Sequence, residues 1–306
     1  MTLTVRTTVA LLFVCLLSSL ETGKGAVPPS NDLVYRSVVS EVRLIFFATD
    51  EQKRPVEDLK SSDFAVVDND VVVREFRSFT KTEAMRLNAV VLVDMSESMA
   101  LEFRREIANA VSVATRTRWR QDDRLSIVTF GGTSTAVACD GTCDAWTSDQ
   151  LSGLHPQGLT PLFDAIWFGA RRLPKRHAPD ELPVLVLFSD GEDTVSRNSF
   201  RDALEAAVER DAEVYSVHTA RPSQRADGVR GLQILAAATG GEYFEANDGA
   251  GKIMSAILED LHGAYVVTYP LPAREVGFHA VQILPTHNLN LNFRCRSGYY
   301  YRGEAR

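Results

Sequence analysis

The chain has 306 residues, of which 45% are hydrophobic and 24% charged, a composition that supports a substantial core and excludes a disordered or fibrous protein. Its 33 basic residues are outnumbered by 40 acidic residues, which gives a net charge of −7 at pH 7. No dense run of lysine and arginine is present, so nucleic acid is not expected as a partner.

Residues 1–26 have the layout of a signal peptide. Arg6 precedes an apolar run over residues 8–20, and small residues up to Ala26 suit cleavage. Because the run is too short to cross a membrane comfortably, we expect no transmembrane segment in the mature chain. The sequence therefore predicts an exported protein, either periplasmic or extracellular.

Two β-rich segments are predicted at the ends of the mature chain. After a linker over residues 27–34, the segment 35–85 contains apolar runs typical of strands, at 35–49, 64–67 and 71–79. The segment 263–306 contains three more, at 264–269, 278–284 and 289–296. Neither segment alone offers enough strands for a two-layer core, so we predict that they pack together as one small β-sandwich-like domain.

Between them, residues 86–262 alternate buried strands with amphipathic helices. This alternation predicts an α/β fold of the Rossmann-like, doubly wound type, with a mostly parallel sheet between two layers of helices. The strands are predicted at 89–96, 125–130, 184–189, 213–218 and 242–245, with a hairpin-like stretch at 135–139. The helices are predicted at 103–114, 161–173, 200–208, 232–239 and 253–261.

The cysteines are interpreted in the light of the predicted export. Cys139 and Cys143 flank a short turn, which favours a local disulfide; zinc binding is disfavoured because the six histidines form no cluster that would complete a site. Cys295 lies in an alternating strand pattern and is predicted to be a small buried apolar residue. A lipid anchor on Cys15 is disfavoured, since Val14 is not the small residue that such processing requires.

Oxygen-bearing side chains follow the ends of two predicted strands. Asp94, Ser96 and Ser98 end the first strand of the middle segment, Asp190 follows the strand 184–189, and Thr160 precedes a helix. Ligands of open α/β sheets bind at the carboxyl ends of the strands, where such loops converge. Carboxylate and hydroxyl oxygens suit Mg²⁺, Mn²⁺ or Ca²⁺ better than zinc or copper.

These motifs resemble the metal-ion-dependent adhesion site of von Willebrand factor type A (VWFA) domains, in D-x-S-x-S at 94–98, in the threonine of G-L-T-P-L and in the aspartate of F-S-D-G. The flanking segments RPVEDLKSSDFAVVDND and RCRSGYY are similar to those of bacterial secreted VWFA-related proteins, so the resemblance covers about residues 35–302. The loop between the paired cysteines is not part of the family pattern.

The resemblance implies a divalent cation, Mg²⁺ or alternatively Mn²⁺ or Ca²⁺. It implies Ser96, Ser98 and Thr160 as direct or switchable ligands, with Asp94 and Asp190 often acting through water. An aspartate or glutamate carboxylate of a protein partner commonly completes the coordination of the metal in this family. The function that we expect is therefore an exported, metal-dependent protein-binding or adhesion module that is not an enzyme.

Each motif also has a simpler interpretation. Ser96 or Ser98 could cap the helix that follows, Thr160 could be the N-cap of the helix beginning at a proline, and Asp190 could form only a turn. Their joint occurrence at strand ends favours a metal site instead. The neighbouring acids Glu192 and Asp193 either support the site or are surface residues.

Two other functions remain open. A magnesium-dependent phosphatase or phosphotransferase could use Asp94 as nucleophile. That chemistry usually requires a second acid two residues later, where this chain has Ser96, and no lysine lies near Thr160 or Asp190 in the sequence. Alternatively, the metal could be purely structural and bind no external ligand.

Overall fold

The computed structural model describes residues 41–99, 108–116, 122–141, 143, 155–175, 178–219, 226–246 and 249–303. The predictions for the signal peptide, for the linker, for Cys15 and for residues 35–40 and 103–107 lie outside the described residues. Within these ranges, no helix is both long enough and apolar enough to cross a membrane.

The described residues form strands and helices that we number in chain order. The strands are β1 (Glu41–Thr49), β2 (Phe64–Asp68), β3 (Val71–Val73), β4 (Ser78–Lys81), β5 (Arg86–Asp94), β6 (Arg124–Gly131), β7 (Ser134–Cys139), β8 (Glu181–Ser189), β9 (Glu213–His218), β10 (Tyr243–Glu245), β11 (Tyr265–Pro270), β12 (Gly277–Pro285), β13 (Asn292–Cys295) and β14 (Gly298–Tyr301). The helices are α1 (Ala108–Arg116), α2 (Leu162–Arg172), α3 (Phe200–Val208), α4 (Ala226–Thr239) and α5 (Ala250–Gly263).

A six-stranded sheet forms the centre of the molecule, in the order β10-β9-β8-β5-β6-β7. Its strands are parallel except for β7, which pairs antiparallel with β6. The central strand β5 is buried along the run Ala89–Val93, because helices cover both faces of the sheet. One face packs against α1 and α5, and the other packs against α2, α3 and α4. The predicted mixed α/β class with a parallel sheet is confirmed.

Strands from the two ends of the described chain pair with each other in two antiparallel sheets. One sheet has the order β13-β1-β11-β4 and the other the order β14-β12-β2-β3. An apolar cluster that includes Phe46, Phe64 and Ile283 draws on both sheets. On the opposite face of β1, Ile45 and Phe47 join the apolar cluster of the central sheet. Strand β1 is therefore buried on both faces and joins the antiparallel strands to the central sheet.

Three element predictions were wrong in detail. The predicted strand 71–79 is two strands, β3 and β4, which belong to different sheets. The predicted strand 289–296 is shorter, and a further strand, β14, follows it. Helix α4 begins at Ala226, six residues before the predicted start, because Gly228 and Gly231 interrupt the helical pattern in the sequence without ending the helix.

Candidate metal centre

The sequence-predicted site residues lie at the carboxyl ends of two adjacent strands and in the loop before α2. Asp94 is the last residue of β5, and Asp190 directly follows β8, the parallel neighbour of β5. The exposed fractions of Asp94, Ser96, Thr160 and Asp190 are 0%, 1%, 4% and 7%. Ser98 lies in a short 3-10 helix, Glu97–Met99, and is exposed. The group is therefore buried, with an accessible side at Ser98.

Asp94 accepts hydrogen bonds at both carboxylate oxygens. The Ser189 hydroxyl donates to Oδ2 at 2.6 Å, and the backbone N–H of Ser96 donates to Oδ1 at 2.9 Å. Burial raises the pKa of Asp94 to about 6, the two serines oppose that rise, and the nearby charge of Asp190 adds to it. Asp94 and Asp190 are thus close enough to repel each other when both are ionised.

Backbone hydrogen bonds fasten the loop before α2 to the turn after β5. The N–H of Gln157 donates to the carbonyl of Met95 at 2.8 Å, and the N–H of Glu97 donates to the carbonyl of Gly158 at 3.1 Å. In the same turn, the hydroxyl oxygens of Ser96 and Ser98 are 3.1 Å apart. These contacts bring the segment that carries Thr160 against the segment that carries the two serines.

A second set of bonds fastens Thr160 to the loop after β8. The N–H of Thr160 donates to the Thr194 hydroxyl at 2.7 Å, and the N–H of Thr194 donates to the Thr160 carbonyl at 2.9 Å. No sequence pattern predicts this contact, because threonine is an ordinary residue in a polar loop. Thr194 therefore links the two loops that carry Thr160 and Asp190.

The start of helix α2 is capped by the same loop. Asp193 Oδ1 accepts a hydrogen bond from the N–H of Phe163 at 3.2 Å, and the Ser196 hydroxyl accepts one from the N–H of Asp164 at 3.1 Å. The N-cap residue of α2 is Pro161. The alternative in which Thr160 serves as N-cap is therefore wrong, and Asp193 bonds to the first turn of the helix that follows Thr160.

The turn that carries Asp190 depends on a contact between two glycines. Gly191 has a φ of +82°, and a Cβ built on it would lie 2.5 Å from the carbonyl oxygen of Gly228 in α4. A Cβ on Gly228 would in turn lie 2.7 Å from the Asp190 carbonyl oxygen. Asp190 Oδ1 accepts a hydrogen bond from the N–H of Glu192 at 3.0 Å, so the turn interpretation accounts for one of its oxygens. Helix α4 thus fixes the position of the Asp190 backbone.

The donor set fits a hard divalent cation. It consists of two buried carboxylates and three hydroxyls, which are oxygen ligands of the kind that Mg²⁺, Mn²⁺ and Ca²⁺ prefer. No ion pair found among the described residues involves Asp94 or Asp190. In the described ranges there is also no group of three or more His, Cys, Asp or Glu side chains that could hold a metal. Hydroxyls would therefore supply most of the ligands.

The three described cysteines lie away from this edge of the sheet. Cys139 and Cys143 form a disulfide at the end of β7, with their Cα atoms 5.9 Å apart. Cys295 is a free, half-buried cysteine in β13 that packs against the apolar cluster of the antiparallel sheets. Burial raises the pKa of its thiol to about 12, which keeps it protonated.

No family model matches the chain, and no curated protein matches it. Solved structures are similar to it at low sequence identity. An aerotolerance-related membrane protein from Bacteroides fragilis is 15% identical, with a TM-score of 0.46, 57% of this chain and 98% of that chain covered. The manganese-loaded TRAP protein of Plasmodium vivax is 15% identical, with a TM-score of 0.47 and coverages of 78% and 99%. Proximal thread matrix protein 1 from the mussel byssus, with a zinc-occupied MIDAS motif, is 13% identical, with a TM-score of 0.45 and coverages of 58% and 48%.

Proposed function

We propose that this chain is an exported, metal-dependent protein-binding module. In this proposal Asp94, Ser96, Ser98, Thr160 and Asp190 hold one divalent cation, Mg²⁺ or alternatively Mn²⁺ or Ca²⁺. When bound, the cation supplies a positive charge that attracts an aspartate or glutamate carboxylate of a protein partner. The observation that carries the proposal is the pair of buried carboxylates with no cationic partner in the described chain.

The proposal extends to the family and the domains. We infer a member of the bacterial secreted VWFA-related proteins, with its VWFA domain over residues 86–262. The β segments 35–85 and 263–306 would form one supporting domain, an inference favoured by the pairing of β1 with β11 and β13 and of β2 with β12. In this arrangement the supporting domain contacts the amino end of the central sheet through the pair of Arg296 with Asp211, just before β9.

An external carboxylate suits this edge better than a fully internal metal site. Both oxygens of Asp94 already accept hydrogen bonds, and these bonds partly compensate the negative charge of the carboxylate within the protein. Ser98 is exposed. Leu159, the residue before Thr160, is 52% exposed. A partner side chain can therefore approach from the Ser98 side, whereas a purely structural ion would not need an accessible ligand.

Catalysis is less well supported by the geometry. A phosphoryl-transfer nucleophile must reach its substrate, but Asp94 is fully buried and hydrogen bonded at both oxygens. Such an enzyme would also need cationic side chains around the phosphoryl oxygens, and no described lysine or arginine pairs with Asp94 or Asp190. We therefore propose a binding protein and not a phosphatase or phosphotransferase.

The test is selection from a displayed library of random peptides, in Mg²⁺ and in EDTA. We expect selected peptides to share an acidic residue, to be released by EDTA, and not to bind Asp190→Asn. Asp180→Asn is the matched control, because Asp180 is an exposed aspartate paired with Arg86 at the other end of the sheet. Retention in EDTA, or selected peptides without an acidic residue, would contradict the proposal. Metal binding without any selected peptide would favour the structural alternative.

A further inference from the structure

A cavity of about 410 Å³ lies beside the candidate metal centre, between helices α2, α3 and α4. This volume lies in the range of about 300–1,000 Å³ that is typical of ligand pockets. The wall of the cavity is formed largely by the apolar side chains of Leu162, Phe163, Ile166, Phe200, Leu232 and Leu235. Its chemistry suits an apolar group.

Two of the residues that line the cavity are close in sequence to candidate metal ligands. Gly191, which lines the cavity, directly follows Asp190, and Leu162 lies two residues after Thr160. Consecutive Cα atoms are about 3.8 Å apart, so neighbouring side chains of one extended peptide can reach places a few ångströms from each other. A peptide with its carboxylate at the centre can therefore place a nearby side chain in the cavity.

A glycine inside α4 keeps the cavity open. Gly231 lines the cavity, and a Cβ built on it would meet no atom within 4 Å. Glycine within a helix costs about 1 kcal/mol relative to alanine, and an apolar side chain at this position would also gain burial. At position 231 the chain has glycine and so lacks both the helix propensity and the burial that a larger residue would add. At position 228, by contrast, the nearby backbone of the Asp190 turn leaves room only for glycine. The sequence thus preserves an empty apolar space at a cost in stability.

Acidic groups at the edge of the cavity limit which side chains of a peptide can enter it. Glu192 and Asp193 line it together with the apolar residues. Their charge disfavours a second acidic side chain, and the apolar walls offer few partners to a polar one. An aliphatic or aromatic side chain satisfies both conditions.

We propose that this cavity is a specificity pocket for a large apolar side chain that lies one or two residues from the metal-binding carboxylate of the same protein partner. This inference rests on the proposed function, since it takes the carboxylate at the centre as its anchor. It defines the ligand class more closely, as an acidic residue with a leucine, isoleucine, methionine or aromatic neighbour.

The test uses peptide selection with two leucine variants on the same helix. Gly231→Leu fills the cavity from within α4, and Gln233→Leu adds the same side chain at an exposed position. We expect wild type and Gln233→Leu to select an acidic residue with an apolar residue at a fixed offset. Gly231→Leu should lose that apolar preference and bind the wild-type peptides at least about tenfold more weakly. Its calorimetric affinity for Mg²⁺ should stay unchanged, which shows that the variant is folded.

A second probe needs no metal. In NMR spectra recorded in EDTA, added indole should shift the methyl signals of Ile166 and Leu235 in wild type but not in Gly231→Leu. Peptides without a fixed apolar position, or equal binding by Gly231→Leu, would overturn the pocket even if binding still required Mg²⁺. Peptides that keep the apolar position but bind equally in EDTA would instead contradict the proposed function. If wild type selects no peptide and indole causes no shift, the pocket is also overturned.

Discussion

The two ends of the central sheet bury charge in opposite ways. At the amino end, Arg296 pairs with Asp211 and donates to the carbonyl of Arg43, and Arg294 pairs with Asp260. At the carboxyl end, Asp94 and Asp190 are buried close to each other, and no ion pair in the described chain compensates them. Two arginines therefore lie among the carboxylates of the amino end, near the buried Glu213, whereas no described cation pairs with the two buried carboxylates of the carboxyl end. The proposed cation would compensate the carboxylates at the carboxyl end.

This difference matches the positions of the antiparallel strands. Arg294 and Arg296 lie in or next to β13, and their partners Asp260 and Asp211 lie in α5 and just before β9. The amino-end charges therefore fasten the antiparallel strands to the central sheet.

The largest expected effect comes from removing a compensating charge at the amino end. Arg296→Met removes the bonds of a buried guanidinium to the Asp211 carboxylate and to the Arg43 carbonyl. Because Asp211 is 37% exposed and water can solvate it, we expect a loss of about 3 kcal/mol, at the low end of the cost of breaking a buried pair. Urea unfolding of the metal-free protein measures the change. The control is Arg302→Met, at an exposed residue paired with Glu209, with an expected loss below about 1 kcal/mol. Equal losses in both variants would mean that the ion pairs of Arg294 and Arg296, the amino-end cluster, stabilise the fold no more than an exposed ion pair does.

The next effect is a pH dependence at the same end. Burial raises the pKa of Glu213 to about 8, above its ordinary value of 4.5, although Arg294 and Arg296 oppose the rise. Because the folded-state pKa is the higher one, this contribution to stability is complete below pH 4.5 and is lost as the pH rises towards 8.

Glu213→Gln should therefore become more stable relative to wild type as the pH is raised from 5 to 8, by at most roughly 1.4 kcal/mol per pH unit. Unfolding free energies of the two proteins across this range provide the measurement. A constant difference between them would refute the assigned direction of the pKa shift.

Metal bound at the carboxyl end should stabilise the protein, and this stabilisation should not depend on the amino-end cluster. At a free Mg²⁺ concentration 100 times the dissociation constant, the unfolding free energy should rise by about 2.7 kcal/mol. The increment should vanish in Asp190→Asn and persist in Arg296→Met, since distant sites act independently. An increment lost in both variants would show that the two ends are one coupled unit.

The smallest effects separate two glycines of α4. Gly228→Ala pushes against the Asp190 carbonyl and should weaken Mg²⁺ binding about tenfold, which corresponds to about 1.4 kcal/mol. Gly231→Ala meets no atom and should leave metal affinity unchanged while stabilising the protein by about 0.5–1 kcal/mol. Calorimetric titration and urea unfolding distinguish the two outcomes. The same result for both variants would contradict the role given to the glycine contact.

The sequence predicts the helix and strand layers of the fold better than the hydrogen bonds between the loops around the candidate site. The apolar run of β5 and the helical spacing of Ala110, Val111 and Ala114 report burial directly, and these residues are buried in the fold. The start of α4 was misplaced because glycine weakens the helical pattern even where packing maintains the helix. The bonds of Thr194 to Thr160 and of Ser196 to the first turn of α2 were not predicted, because they join residues more than 30 positions apart and neither segment has a pattern that signals them.

The central claim is that the carboxyl end of the sheet binds a divalent cation through its own side chains. The most direct test is calorimetric titration of the metal-stripped protein with Mg²⁺ and Mn²⁺, together with Asp94→Ala and Asp190→Ala. We expect one binding site per chain in wild type and no detectable binding in either variant, with all three proteins folded. Absence of binding in wild type, or binding that survives both substitutions, would contradict the claim.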